Sequence, residues 1–303
     1  MSGLFWLASY PKSGNTWFRM LVNNLSAADG PADINEPPES GGGIASMRAP
    51  FDFTLLIESG LLTGDEIDAL RPRVHELMAR GGDAEETDGP PPPFRLLKVH
   101  DAYGPAPNGE PLLAGARGAA GAIVIVRDPR DVAPSLANHH SSSISEAIDF
   151  MGDPGRAYCA QPHRQPHQLR QKLGRWSDHV AGWIDQKDVP VCLIRYEDMV
   201  ADTAGELARA LGFAGRPASE AEIARAVAQA DFAELQRQER ATGFAEAPRD
   251  LGEGALFFRR GEVGAWRDEL TAAEVSRIEA AHGPMMRRLG YELAGAASLA
   301  PTG

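Results

Sequence analysis

The sequence predicts an α/β fold: a single domain with a parallel β-sheet flanked by helices and a P-loop-like phosphate site at its first strand. Three observations carry this expectation. Short apolar runs bounded by loop residues recur at Leu4–Ser9, Phe94–Val99, Ala122–Val126 and Val191–Tyr196, and near-continuous apolar runs mark strands buried on both faces. Amphipathic segments stand between them, the alternation that covers a parallel sheet. The first run opens directly into Ser9-Tyr10-Pro11-Lys12-Ser13-Gly14-Asn15-Thr16-Trp17, a glycine-containing turn that leads into a helix. Such a turn aims unpaired N–H groups and the positive end of the helix dipole at one point.

The helical segments follow in order. Apolar spacing places helices at Thr16–Leu25, Asp65–Arg80, Leu169–Gln186, Ala204–Leu211, Glu220–Ala230 and Ala272–Leu289, and a further helix begins near Pro129. Three of them carry capping boxes, Thr63 with Glu66, Ser219 with Glu222 and Thr271 with Glu274. In the last helix Val275, Ile278, Met285 and Leu289 share one stripe, which reads as core packing. Residues 36–43 and 81–93 read as flexible insertions, the second with four consecutive prolines, and 294–303 as a frayed tail behind a domain spanning 1–293.

Composition narrows the function classes. A chain of 303 residues with 43% hydrophobic content can bury a full α/β core. A net charge of -12 argues against general binding to nucleic acid or another polyanion. Two cysteines, Cys159 and Cys192, make no disulfide framework and point to a reducing compartment. No apolar run reaches bilayer length, and Met1–Ala8 lacks a basic leader, so the expectation is a cytoplasmic protein.

Four motifs carry chemistry. In the first loop Lys12 adds a full charge, Ser13, Asn15 and Thr16 add donors, Gly14 permits the turn, and Trp17 offers an aromatic face. It is not a Walker A loop, because the lysine precedes the only glycine. At the end of the second strand, alternation puts Lys98 and His100 on one face, and a near-neutral histidine suits removal of a proton from an attacking hydroxyl. The third strand delivers Arg127, and the helix after Pro129 returns Ser135 about two turns later. A guanidinium and a hydroxyl converging in this way suit a phosphate monoester. Arg130 and Asp131 read as surface ion pairing at the helix start. Finally, Arg259-Arg260-Gly261 reads as a loop closing over an anion.

These spellings resemble the sulfotransferases that use 3′-phosphoadenosine 5′-phosphosulfate (PAPS) and release 3′-phosphoadenosine 5′-phosphate (PAP). The first loop is similar to Y-P-K-[SA]-G-[TN]-T-W, Lys98-Val99-His100 to K-[TS]-H, Arg127 through Ser135 to R-[ND]-P-[RK]-D-x-x-x-S, and Arg259 through Trp266 to R-K-G-x-x-G-x-W. The resemblance implies His100 as base, Lys12 and Lys98 as charge stabilisers, the loop residues 12–17 on the 5′-phosphosulfate, Arg127, Ser135, Arg259, Arg260 and Gly261 on the 3′-phosphate, and Tyr196 and Phe232 on adenine. Ala230 stands where relatives often carry a hydroxyl.

The implied reaction is in-line transfer to a hydroxyl or amine of a small-molecule acceptor, without metal. A metal site among His139, His140, His163 and His167 fits no tetrahedral spacing. A P-loop kinase acting on a small metabolite and a non-catalytic nucleotide-binding module are the competing readings. The polar stretch Asn138–Arg170 is expected to form an acceptor lid, with Phe51, Phe53, Leu55 and Leu56 supplying apolar surface. Homodimerisation is left open, since a C-terminal dimer pattern of the relatives is echoed only by Arg267 and Thr271.

Overall fold

The computed structural model describes residues 3–27, 30–36, 43–81, 94–161, 167–248, 251–252 and 254–294. In chain order the elements are β1 (Leu4–Ser9), α1 (Asn15–Asn24), α2 (Arg48–Leu55), α3 (Gly64–Ala79), β2 (Arg95–Val99), β3 (Gly121–Val126), α4 (Pro129–His140), α5 (Ile144–Gly152), β4 (Ala157–Tyr158) and β5 (Gln171–Lys172). They continue with α6 (Trp176–Asp185), β6 (Val191–Arg195), α7 (Tyr196–Ala201), α8 (Thr203–Phe213), α9 (Glu220–Gln229), α10 (Phe232–Thr242), α11 (Trp266–Glu269) and α12 (Ala272–Arg288).

The four apolar runs become one parallel sheet in the order β2-β1-β3-β6. Strand alternation divides the core in two. Leu4, Trp6, Ala8, Val124 and Val126 face α4, α6 and α12, whereas Phe5, Leu7, Ile123, Ile125 and Ile194 face α1, α8 and α9. The chain leaves β1 to pair β2 on one side and then crosses to place β3 on the other. Ligand groups collect at such a reversal, outside the carboxyl ends of the two strands. The ends are level there, with Ala8 beside both Val99 and Val124.

The three expected capping boxes form, and a fourth joins Ser143 to Glu146 at α5. The expected stripe of α12 is buried at Val275, Ile278, Met285 and Leu289. One helix is corrected. Leu169–Gln186 is helical only from Trp176, because Gln171 and Lys172 pair with β4 and Gly174 takes a φ of +63°. The Asn138–Arg170 stretch is also corrected where it is described. It holds the end of α4, then α5, whose Ala147, Ile148 and Met151 are core residues, and the first strand of a small antiparallel ribbon. Residues 162–166 of that stretch lie outside the described residues, as do 37–42 and 82–93 of the two insertions and 295–303 of the tail.

A buried charge network fixes the end of β2. The Arg71 guanidinium on α3 donates to Asp101 Oδ1 at 3.0 Å and Oδ2 at 2.7 Å, with side-chain exposures of 1% and 0%. Asp101 Oδ1 also accepts the Lys172 backbone N–H at 2.8 Å, and the Asp101 carbonyl accepts Trp183 Nε1 at 3.0 Å. Arg71 further donates to the Arg170 carbonyl at 2.9 Å. Removing one member of such a pair leaves an uncompensated buried charge, which costs about 3–5 kcal/mol. Arg71→Ala is therefore expected to lower unfolding stability by about that amount in urea titration, whereas the double variant Arg71→Met/Asp101→Leu loses less than either single change.

Candidate active site

The first loop is built from β1 outward. Lys12 takes a φ of +68° and Gly14 a φ of +104°. A Cβ at position 14 would stand 2.6 Å from Tyr196 Cδ2, so only glycine lets the loop lie against that ring. The Asn15 amide donates to the Leu7 carbonyl at 3.0 Å and to Ser9 Oγ at 3.2 Å, stapling the loop to its strand. Both of its amide donors are thereby used, and Asn15 offers a ligand its backbone N–H rather than its side chain. Thr16 and Trp17 follow in the first turn of α1, and Trp17 Nε1 donates to the Ala230 carbonyl at 3.0 Å.

Lys12 has no ion pair among the described residues; its Nζ sits 3.5 Å over the Phe257 ring. Burial, together with Lys98 and Arg127 nearby, pulls its pKa down to about 7. Ser13 Oγ, Arg127 Nε and Arg259 Nε are buried and make no hydrogen bond among the described residues. Buried donors of this kind are normally satisfied, so the crevice presents a set of donors suited to an anion.

His100 lies beside the loop, and its Nδ1 is 2.8 Å from the Ser9 carbonyl. A carbonyl can only accept, so Nδ1 carries the proton and the neutral ring leaves Nε2 bare. Burial, with Lys98 adding to it, holds the His100 pKa well below 6.5. Lys98 Nζ is engaged by Glu246 at 3.0 Å, and Arg19 on α1 grips the same carboxylate at 2.5 and 3.1 Å.

The third and fourth motifs meet across β3. The Arg127 guanidinium stacks 4.2 Å from the Tyr196 ring centroid and donates to the Glu262 carbonyl at 2.9 Å. Tyr196 OH donates to the Gly261 carbonyl at 2.7 Å. Gly261 has a φ of +68°, and a Cβ there would stand 2.7 Å from the Phe232 ring. Arg127, Tyr196, Gly261 and Phe232 are thus brought together, and Trp17 joins them edge-on to Tyr196. Arg259 is held by Glu269 at 2.5 and 2.9 Å, and Arg260 by Glu262 at 2.5 Å. Ser135 lies half-buried on α4.

Arg130 and Asp131 are not surface residues. Arg130 is buried against Asp128, Glu279 and Trp266. Asp131 accepts the backbone N–H groups of Gly264 at 2.7 Å and Trp266 at 2.9 Å, and so pins the arginine loop to α4. Sequence reasoning also missed Glu239, which accepts the N–H groups of Phe257 and Phe258 and seats Phe257 beneath Lys12. Of the expected apolar acceptor residues, Phe51 and Leu55 pack with Ile67 and Val74, while Phe53 and Leu56 project into solvent. No helix among the described residues is long and apolar enough to cross a membrane.

The chain is similar to known sulfotransferases. Human sulfotransferase 2B1 is 30% identical over 168 residues, covering 54% of this chain and 44% of that protein. Mouse sulfotransferase 2B1 is 25% identical over 293 residues, covering 92% and 70%. The crystal structure of mouse sulfotransferase SULT7A1 complexed with PAP superposes with a TM-score of 0.57 at 20% identity, covering 98% of this chain and 88% of that one. Retinol dehydratase in complex with androsterone and inactive cofactor PAP gives 0.52 at 19% identity, covering 94% and 80%. These structural likenesses establish the shared fold. The family model for the sulfotransferase domain matches residues 117–290, more than half of the sequence, and the chain belongs to that family.

Proposed function

We propose that this protein transfers the sulfuryl group of PAPS to a hydroxyl or amine of a small-molecule acceptor. The observation that carries the reading is the set of donors without a hydrogen-bond partner among the described residues at the carboxyl ends of β1 and β3: Lys12, Ser13 Oγ and Arg127 Nε, gathered at the N-terminus of α1. The residues fit the nucleotide. Lys12, Ser13 and the N–H groups of α1 would hold the 5′ phosphosulfate, Arg127 with Ser135 the 3′-phosphate, and Trp17, Tyr196 and Phe232 the adenine. Arg259 and Arg260 join the 3′-phosphate by exchanging Glu269 and Glu262 for it. A kinase is not favoured, since Lys12 stands before Gly14 and the family is that of sulfotransferases.

His100 Nε2 takes the acceptor proton while the acceptor oxygen or nitrogen bonds to sulfur. The sulfur–oxygen bond to the 5′-phosphate breaks, its electron pair stays on the phosphate oxygen, and Lys12 neutralises that charge as PAP forms. Lys98 faces the sulfuryl oxygens. The acceptor enters beside Lys98, where Ile44 pairs with that strand and lines a cavity of about 570 Å³ together with Met47, Ala49, Arg48, Asp52, Glu58 and His167. This mixed lining suits an acceptor that carries both apolar surface and hydrogen-bonding groups.

Charge-assisted phosphate contacts are worth roughly 1.5–3 kcal/mol each, so calorimetry should show PAP binding at least about tenfold tighter than AMP. Equal affinities would remove Arg127, Ser135, Arg259 and Arg260 from the 3′-phosphate.

His100→Ala is expected to lower kcat by about two to four orders of magnitude while PAP affinity stays within a few fold. Because the His100 pKa lies well below 6.5, the base is already neutral there, and the wild-type kcat should not decline between about pH 8 and pH 6.5 through loss of this group. A variant that keeps most of its kcat assigns the base elsewhere.

Lys12, with a pKa of about 7, is mostly neutral near pH 8, and a bound phosphate draws its pKa up. PAP binding near pH 8 should therefore take up a proton, read from calorimetry in buffers of different ionisation enthalpy. Lys12→Met should abolish the uptake and weaken binding. Uptake that persists in this variant would place the titrating group elsewhere.

A further inference from the structure

Among the described residues, Glu246 is the one acid bonded to any of the proposed catalytic groups Lys12, Lys98 and His100, through Lys98, and no motif announced it. Its carboxylate bridges Lys98 Nζ at 3.0 Å and the Arg19 guanidinium at 2.5 and 3.1 Å. Both cations are largely buried, with 15% of each side chain exposed against 36% for Glu246. Burial opposes ionisation, yet Lys98 and Arg19 prevail and bring the Glu246 pKa down to about 2. The carboxylate is therefore an anion held by two cations, in the place where Lys98 would meet an oxygen of the sulfuryl group.

The backbone around Glu246 is anchored. Ala245 N–H donates to Asn35 Oδ1 at 2.7 Å, and Asn35 Nδ2 donates to the Gly243 carbonyl at 3.0 Å. Farther along the loop, Phe257 and Phe258 are tied to Glu239. The side chain can thus leave Lys98 by rotation while its backbone stays in place.

We infer that Glu246 is a positioning residue that occupies the sulfuryl subsite on Lys98 until PAPS arrives, and that it discriminates the donor from its spent form. This rests on the function proposed above. Two like charges do not share one partly buried ammonium without repulsion. PAPS must displace Glu246 from Lys98, whereas PAP, which lacks the sulfuryl group, leaves the Lys98–Glu246 pair intact. With Glu246 in place Lys98 is held ready, and its return after transfer helps expel the sulfated product.

The test compares PAPS and PAP binding, without acceptor, to wild type, Glu246→Gln and Glu246→Ala, with thermal unfolding as the check on folding. A partly exposed ion pair is worth up to about 1 kcal/mol, so both variants should bind PAPS about two- to fivefold more tightly. PAP affinity should change by less than about twofold, and KM for PAPS should fall with kcat changed less. A merely structural salt bridge would shift both ligands together. Equal shifts for PAPS and PAP, or unchanged PAPS affinity in a folded variant, would overturn the inference while leaving sulfuryl transfer standing. Failure of wild type to bind PAP at all would overturn both.

Discussion

The geometry of the site depends on one buried ion pair, Arg71 with Asp101. Taking two charges out of water is unfavourable unless each finds a full set of partners, and here Asp101 collects the guanidinium fork and the Lys172 N–H through its side chain, and Trp183 through its carbonyl. Four elements, α3, the end of β2, β5 and α6, are thereby tied to one residue. That residue follows His100, whose own carbonyl lies 3.2 Å from His179 Nε2. The histidine is consequently held from behind by a network that never enters the crevice, and its ring faces the Ser9 carbonyl because its backbone has little freedom to do otherwise.

Two kinds of cation result. Lys12 and Arg127 have no carboxylate partner among the described residues, one resting on Phe257 and the other on Tyr196. Lys98, Arg259 and Arg260 are each neutralised, by Glu246, Glu269 and Glu262. A protein with a net charge of -12 can keep so dense a basic cluster folded because aromatic faces and paired carboxylates limit its self-repulsion.

Much of the fold was legible because it rests on local periodicity. β1 and β3 are two-sided apolar runs, and the capping boxes at Thr63, Ser219 and Thr271 are spelled within four residues. Leu169–Gln186 was misread for the same reason: Leu169, Leu173, Trp176, Val180 and Trp183 are spaced as on a helix, yet Asp101 takes the Lys172 N–H and Gly174 turns the chain. α2, α5, α7 and α10 are short or mixed in polarity, and tertiary packing rather than propensity decides them. Within the site the cations were legible because each sits in a compact motif. The carboxylates were not, since Glu246 meets Arg19 across 227 residues and Lys98 across 148. Arg130 and Asp131 looked like surface charges because nothing in their neighbourhood announces that Trp266 and the arginine loop will cover them.

The ring of Tyr196 touches three distant pieces of chain at once: it limits residue 14 to glycine, lies under Arg127 and donates to the Gly261 carbonyl. On the ribosome, the loop around Lys12 emerges well before its partners: it gains this contact only after residue 196, and the cover over it only after residue 261. Domains generally fold as units during synthesis, and here the earliest motif to leave the exit tunnel is among the last to be completed. A nascent chain carrying β1 to β3 alone would expose Lys12, Ser13 and Arg127 without the aromatic wall that shapes them. The proposed nucleotide site is thus complete only after residue 261 has been made.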